Sequence, residues 1–361
     1  MASSGSTKIV VIALVCNFGI AVAKFTAAVW TQSSAMLSEA VHSLVDTSNQ
    51  ALLLYGIGRS QRPADAHHPF GYSRELYFWS FVVAILLFSM GAGVSIYEGF
   101  QKLLHPHPVT NFAVNYIVLA VAMALEGYTA WRAASEFKSH RGIRSWLAAL
   151  RLSKDAALFT VLLEDVAAVA GLLIAFVGLL TVQFLGIQEA DGIASIFIGL
   201  ILATVATFMS VEIKGLLIGE AASPKVQAGL REILQSEIGP SGPLRAINEI
   251  RTMHMGPEDV LVVASVDTAD GVPAEEVEAL TAQFERAIMK KFPEVRRLYI
   301  ETQSVADHKA AIAAEKSRQP SRKAAPAKKS PRRAKKPGTA KTVANGKSKK
   351  GTKPQSSPRL S

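Results

Sequence analysis

Cysteine is almost absent from this chain: Cys16 is the single thiol, and it lies in an apolar run. One cysteine excludes an internal disulfide framework and a thiolate metal site. Charged residues make up 19% of the sequence and aromatic residues 7%, whereas 49% of the residues are hydrophobic. The mean hydropathy is +0.24. Soluble domains of this length rarely average above zero, so membrane-spanning segments are expected.

The net charge of +10 is unevenly distributed along the 361 residues. Residues 304–361 hold 17 Lys/Arg against 2 Asp/Glu, which leaves 22 against 27 for the remainder. The body of the protein is therefore slightly acidic, with a net charge of −5. Positive charge is concentrated in the last segment.

Six apolar runs are long enough to cross a bilayer as helices, which takes about 20 residues each. The predicted spans are Lys8–Trp30, Ala35–Gly58, Tyr77–Glu98, Ala113–Trp131, Ala156–Val182 and Gly192–Leu217. Basic residues are frequent in the loops after spans two and four and nearly absent from the alternate loops. The positive-inside rule then predicts that both termini are cytoplasmic. Ala21-Val22-Ala23 loosely resembles a signal-peptide cleavage site, but the apolar run continues to Trp30, which favours a retained span.

A small folded module is predicted behind the spans. Alternating and helical periodicities give helix Val226–Ile238, strands Ala246–Met255 and Val260–Val266, helix Glu275–Phe292 and strand Val295–Glu301. The fold class is therefore an all-α membrane domain of six transmembrane helices plus a small cytoplasmic α+β (ferredoxin-like) domain. We expect domains at residues 1–220 and 223–303. A disordered basic tail should follow over residues 304–361, because it has few large apolar residues.

Ionisable residues inside apolar spans indicate function, because burying charge in hydrocarbon is costly. Span two contains Glu39, His42 and Asp46, and the last two share one helix face at a spacing of four residues. Such a pair can bind one metal ion jointly. In span five, Glu164 or Asp165 could supply a third ligand. The alternative for the span-two residues is a purely structural role in holding helices together, and the alternative for the span-five acids is a position at a helix end near water.

Other polar residues in or near the spans have a structural interpretation that is at least as good. Glu126 in span four could line the path or pair with Lys24 of span one, where Asn17 also lies. Asp191 at the start of span six could be a helix N-cap. The loop after span two contains Asp65, His67 and His68, which could form a second metal site or be ordinary surface residues.

Together these motifs resemble the cation diffusion facilitator family. The matching features are Ser34 through His42-Ser43-Leu44-Val45-Asp46, the loop Asp65-x-x-His68-x-Phe70-Gly71, an acid in span five, and an α+β module after six spans. The strings Ser38–Gln50 and Leu163–Val169 resemble the zinc-transporter-nine-like branch. The likeness covers residues 7–303.

The resemblance implies a homodimeric antiporter that exports a divalent metal cation, zinc first, in exchange for protons. Zn²⁺, or Mn²⁺, Fe²⁺ or Co²⁺ instead, would be the transported substrate, with no permanently bound cofactor. By position, His42, Asp46 and Asp165 would be metal ligands, with Asp65 and His68 in a secondary loop site. The family usually has another ligand four residues before the third, but here that position is Val161, so water, Glu164, Glu39 or Asn49 would have to complete the site.

Two more positions depart from the family pattern. The second loop histidine falls on Tyr72, which leaves at best a partial loop site. In the module the family's ligand positions fall on Asn248, Ala264, Glu301 and Gln303, so a binuclear zinc site is not expected there.

Two other functions are compatible with parts of the sequence. The chain could be a non-transporting membrane scaffold whose basic tail binds anionic lipid headgroups or nucleic acid, although nucleic acid is not the expected partner. A membrane enzyme has little support, because no nucleophile–base pair or phosphate loop is present. The predicted location is a bacterial plasma membrane.

Overall fold

The computed structural model describes residues 4–31, 34–105, 111–141, 145–239 and 242–318. The chain divides into two units, Met1–Ile312 and Ala313–Ser361. The first unit contains every element that positions the site. In the second unit only residues 313–318 are described, as the end of a helix.

Long helices build the N-terminal part of the first unit. They are α1 (Ser4–Thr31), α2 (Ser34–Ser60), α3 (Glu75–Leu86), α4 (Gly93–Leu104), α5 (Phe112–Arg141), α6 (Trp146–Leu152), α7 (Ala156–Leu185) and α8 (Glu189–Ile218). A π-helical turn, Leu87–Ala92, joins α3 to α4, so that the three segments run as one continuous helix. A buried apolar core with residues from Ile9 to Leu216 connects these helices, apart from α4.

Five stretches are long and apolar enough to span a membrane: Gly5–Trp30, Glu75–Leu104, Phe112–Ser139, Ala156–Leu185 and Glu189–Ile218. They correspond to five of the six predicted spans. The sixth, Ala35–Gly58, is the helix α2, which has the length but also holds Asp46, Asn49 and Gln50. That α2 crosses the membrane stays a prediction.

The connection between predicted spans four and five is more helical than expected. Helix α5 continues ten residues past Trp131 to Arg141, and the short helix α6 follows. Ser145 caps α6 by accepting a hydrogen bond from the amide of Ala148, and Asp155 caps α7 through the amide of Leu158. The described part of this segment is therefore largely helical.

Helices α4 and α8 approach each other unusually closely at glycines. A Cβ atom on Gly99 would lie 2.7 Å from the carbonyl oxygen of Gly192, and one on Gly199 would lie 3.0 Å from that of Ala92. These contacts are with backbone, which cannot rotate away. Lys102 in α4 also pairs with Asp191 in α8 at 2.9 Å. The expectation that Asp191 is an N-cap is wrong, because Gln188 occupies the cap position and Asp191 lies in the first turn.

The predicted module is present with small changes in its boundaries. Its elements are α9 (Pro224–Gln235), β1 (Leu244–Gly256), β2 (Asp259–Thr268), α10 (Ala274–Lys291) and β3 (Val295–Thr302). The sheet order is β1-β2-β3, with β1 antiparallel and β3 parallel to β2. Alternate residues of β2, from Val260 to Val266, pack with apolar residues of both α9 and α10 in one core. The two helices therefore cover a single face of the sheet, as the sequence predicts.

The first residues of the predicted disordered tail are helical instead. Residues 305–318 form a helix, α11 (Val305–Arg318), none of whose residues is buried. The first part of the expected tail, 304–361, is thus helical and exposed. Residues 319–361 lie outside the described residues.

Several contacts join the module to the ends of the membrane helices. Arg297 in β3 binds Asp259 at 2.9 Å and donates to the carbonyl oxygen of Phe70 at 3.0 Å. Ser73 donates to the same Asp259 at 2.8 Å. Glu220, which follows α8, pairs with Lys154 and accepts a backbone hydrogen bond from His254. The loop after α2 is therefore bonded directly to the sheet.

Candidate functional site

A group of acidic side chains lies between helices α2, α5 and α7, within segments that are otherwise apolar. Asp46 in α2 is half-buried, whereas Glu126 in α5 and Glu164 and Asp165 in α7 are buried. The charge of Asp46 acts on all three of the others, so the four carboxylates share one region of the interior. Like charges this close, in a low dielectric, need a cation or protons to neutralise them.

Asp165 is the carboxylate best placed to receive a cation. It is 1% exposed, and neither of its oxygens has a hydrogen-bond partner among the side chains that the structure describes. The Thr129 hydroxyl lies near this carboxylate but donates to the carbonyl oxygen of Glu126 at 3.0 Å. A buried carboxylate without donors requires an explanation, and a bound cation or proton supplies one.

Glu164, the neighbour of Asp165, has quite different surroundings. Its Oε2 accepts from the Gln50 amide at 2.8 Å and its Oε1 from the Asn49 amide at 3.3 Å. Asn49 and Gln50 are fully buried. The two adjacent acids of α7 thus face different partners, as an offset of about 100° per residue requires.

His42 and Glu39, the other predicted residues of this region, lie on α2 at positions whose side chains are outside the described part of the structure. His42 is one helical turn before Asp46, which places the two on one face of the helix. Val161, one turn before Asp165, is fully buried in the apolar core and offers no ligand atom. Among the described side chains, Asp46 of α2 and Glu126 of α5 are the ones that could bind an ion together with Asp165.

Lys24 in α1 and Glu126 in α5 face each other as the sequence suggested. Both are 8% exposed, and their charges interact. The Asn17 amide oxygen on α1 is also buried, without a partner among the described groups. The structural interpretation of Glu126 as the partner of a buried lysine is therefore supported.

The loop after α2 uses its predicted metal ligands for internal hydrogen bonds. Asp65 accepts from the Tyr72 hydroxyl at 2.6 Å and from the backbone amides of His67 and His68 at 2.9 and 2.7 Å. The hydrogen bond from Tyr72, followed by that from the amide of His68, holds the pKa of Asp65 below its usual range. The residues that the structure describes contain no cluster of three or more His, Cys, Asp or Glu side chains arranged to bind a metal. A loop metal site at Asp65 and His68 stays an untested prediction, but these contacts stabilise the loop by themselves.

The other family ligand positions in the module are also engaged elsewhere. Asn248 donates to the Ser265 hydroxyl at 3.2 Å and to the carbonyl oxygen of Gln303 at 2.7 Å, and Ala264 is buried in the core. Glu301 is exposed. The absence of a binuclear site from the module stays a prediction.

Sequence reasoning missed Gln50 as a site residue. A polar pair, Asn49-Gln50, inside an otherwise apolar segment is the signal that could have indicated it. Arg297, Asp259 and Ser73 were also missed, because their contacts join segments far apart in the sequence.

Five helices long and apolar enough to cross a membrane, with buried acids between them, are typical of an integral membrane protein. Residues 10–218 match the family model for the cation efflux transmembrane domain. The chain belongs to this family, which confirms the resemblance to cation diffusion facilitators and to the zinc-transporter-nine-like branch. Membership of a transport family also agrees with the expectation that the protein is not an enzyme.

Several named relatives share most of the chain. It is 35% identical over 269 residues to the Xenopus laevis protein named Proton-coupled zinc antiporter SLC30A9, mitochondrial, covering 74% of this chain and 47% of that protein. It is 32% identical over 268 residues to Metal tolerance protein C4 of Arabidopsis thaliana, covering 73% and 57%. Zinc transporter ZitB of Pectobacterium atrosepticum is 25% identical over 291 residues, covering 80% and 83%. The chain spans about half the length of the antiporters that it matches.

Proposed function

We propose that this protein exports a divalent metal cation from the cytoplasm, zinc first, in exchange for protons. The observation that carries the proposal is Asp165, whose two oxygens are buried without described donors beside Asp46 and Glu126. Asp46 and Asp165 would bind the ion, with His42 as the third ligand and water or Glu39 completing the site, because Asn49 and Glu164 are hydrogen-bonded to each other. The names of the antiporter and ZitB relatives support zinc as the cargo.

Proton exchange follows from the chemistry of these ligands. A metal ion requires ionised carboxylates and a neutral imidazole, so protons compete for the same atoms. Moving one charge against 100 mV involves about 2.3 kcal/mol, so exporting a divalent ion against an inside-negative potential costs about twice that. Proton entry offsets part of this cost. Alternating exposure of one shared site then turns competition into exchange.

Two details of the cellular setting belong to the same proposal. We place the protein in a bacterial plasma membrane. Its bacterial relative ZitB supports that location, whereas the mitochondrial antiporters offer the alternative. We also expect a homodimer, because the sheet face opposite α9 and α10 exposes Val263 and Tyr299, which are 39% and 54% accessible. The mass of the detergent-solubilised protein tests the second expectation.

The test is metal flux into proteoliposomes for Zn²⁺, Mn²⁺, Fe²⁺ and Co²⁺, with and without a pH gradient. Flux driven by the gradient should select one metal and fall at least about tenfold in Asp165→Asn, because an amide is a weaker ligand than a carboxylate. Asp191→Asn is the matched control, since it makes the same change at an acid paired with Lys102 outside the cluster. Equal flux in both variants would remove Asp165 from the mechanism.

The scaffold alternative has one observation in its favour, the buried valine at position 161 in place of a ligand. A scaffold would show no gradient-driven flux of any of the four metals from folded, inserted protein. Deleting residues 319–361 separates the two further, because a transporter should keep its flux without them.

A further inference from the structure

Glu164 is held by a pair of amides that both come from α2. Gln50 Nε2 lies 2.8 Å from Oε2 of the carboxylate and Asn49 Nδ2 lies 3.3 Å from Oε1. Glu164 is 5% exposed, and the two amide residues are 0% exposed. We call these three residues the amide clamp. It joins α2 and α7 at the level of Asp165.

The clamp occupies the atoms that Glu164 would need as a metal ligand. Each carboxylate oxygen already accepts one amide hydrogen bond, whereas both oxygens of Asp165 lack described donors. Coordination by Glu164 would therefore have to displace two buried hydrogen bonds, while coordination by Asp165 displaces nothing that is described.

The clamp also orients the two amides of α2. A carboxylate only accepts hydrogen bonds, so both amides must turn their NH₂ groups toward it. Their oxygens then point elsewhere, and the oxygens of Asn49 and Gln50 are both buried without described donors. Asn49 and Gln50, which are consecutive in α2, thus both donate hydrogen bonds to Glu164 in α7. This contact fixes the rotation of α7 relative to α2.

We propose that Glu164 is a positioning residue rather than a metal ligand: the amide clamp fixes α7 on α2 so that Asp165 faces Asp46. This inference rests on the proposed transport function. It assigns different tasks to two adjacent acids of one helix. Asp165 binds the ion, and Glu164 holds the geometry in which it does so. Outer partners of this kind commonly change affinity or activity by about 10–100-fold when removed.

The test compares removal of the clamp with its conservative replacement. Glu164→Ala should lower gradient-driven zinc flux by about 10–100-fold. Glu164→Gln should restore it to within about threefold of the wild type. A neutral amide at this position can accept from Gln50 and, once Asn49 turns its amide over, donate to the Asn49 oxygen. The double variant Asn49→Ala/Gln50→Ala, which leaves Glu164 intact, should be as impaired as Glu164→Ala.

Zinc affinity measured by calorimetry on the detergent-solubilised protein decides between positioning and ligation. A positioning role predicts that Glu164→Gln binds zinc within about threefold of the wild type. Glu164→Gln as deficient as Glu164→Ala in flux and affinity would overturn the inference and make Glu164 a ligand. Normal flux in Asn49→Ala/Gln50→Ala would overturn it as well.

Controls separate folding and the proposed function from the inference. Ser80→Ala removes a fully buried hydroxyl from α3, outside the clamp, and should leave flux unchanged. Melting temperatures identify any variant that is unfolded. If the alanine variants are unfolded, the flux and zinc affinity of Glu164→Gln alone decide whether Glu164 is a positioning residue. Absence of flux in the wild type would contradict the proposed function itself. Flux in the wild type together with an inactive Glu164→Gln would contradict only the positioning role.

Discussion

Arg297 binds Asp259 across the edge of the three-stranded sheet, with 2.9 Å between Nη1 and Oδ1. The carboxylate is 4% exposed and also accepts from Ser73, while the second guanidinium nitrogen donates to the carbonyl oxygen of Phe70. A strand of the module therefore holds the loop that follows α2. This contact couples the module to the helix that carries Asp46.

Replacing Arg297 should loosen that loop. Arg297→Ala leaves a buried carboxylate with one donor fewer, which costs about 1–3 kcal/mol. We expect faster amide hydrogen exchange over residues 61–74 in the full-length protein. Arg245→Ala is the matched control: it breaks an ion pair with Asp270 whose partners are 50% and 87% exposed, and such pairs contribute about 0–1 kcal/mol. Equal exchange of the loop in the two variants would contradict the coupling.

His254 should make the module sensitive to mild acid. Burial lowers the pKa of this histidine, which is 5% exposed, and outweighs the opposing hydrogen bond to the Gly256 carbonyl oxygen. The folded state thus keeps the imidazole neutral, while the unfolded chain binds a proton below about pH 6.5. The unfolded state binds more protons there, so stability is full above that pH and falls as the pH is lowered through it.

The measurement is the melting temperature of the full-length protein between pH 8 and pH 5.5. The wild type should lose more stability on acidification than His254→Asn, whose side chain does not titrate. Parallel pH profiles for the two proteins would show that another group is responsible.

The contact between α4 and α8 should tolerate no added methyl group at its glycines. In Gly99→Ala the new Cβ would meet the carbonyl oxygen of Gly192 and the amide nitrogen of Ile196 at less than 3 Å. Overpacking of this kind costs about 1–3 kcal/mol. We expect a lower melting temperature in detergent, whereas Gly19→Ala, with no atom within 4 Å of the new carbon, should not destabilise the protein. Unchanged melting of Gly99→Ala would mean that the two helices can separate at little cost.

The sequence is informative where a pattern is local. Apolar runs predict the spans, period-two alternation predicts β1 to β3, and acids inside apolar runs make Asp46 and Asp165 candidate ligands. Helix α2 is less apolar than the five candidate spans, because several polar residues lie in this one segment.

Contacts between segments that are far apart in the sequence cannot be predicted from such local patterns. Gln50 and Glu164 are 114 residues apart, and nothing local shows that the amide faces the acid. Asp191 has the residue type and position of a cap, but Lys102 on another helix is its partner. Asp65 has the residue type of a metal ligand, yet the Tyr72 hydroxyl seven residues later donates to it. In each case the residue type allows several kinds of partner, and the tertiary fold determines which partner the side chain contacts.

The glycines between α4 and α8 also restrict which amino-acid substitutions this protein can tolerate. Every other amino acid brings at least one carbon where the neighbouring backbone already lies, at Gly99, Gly192 and Gly199 alike. Val94 and Tyr97, on the same helix as Gly99, are 43% and 64% exposed and meet no such limit. In a library of random variants selected for function, positions 99, 192 and 199 should stay glycine while the outward-facing positions drift among apolar residues.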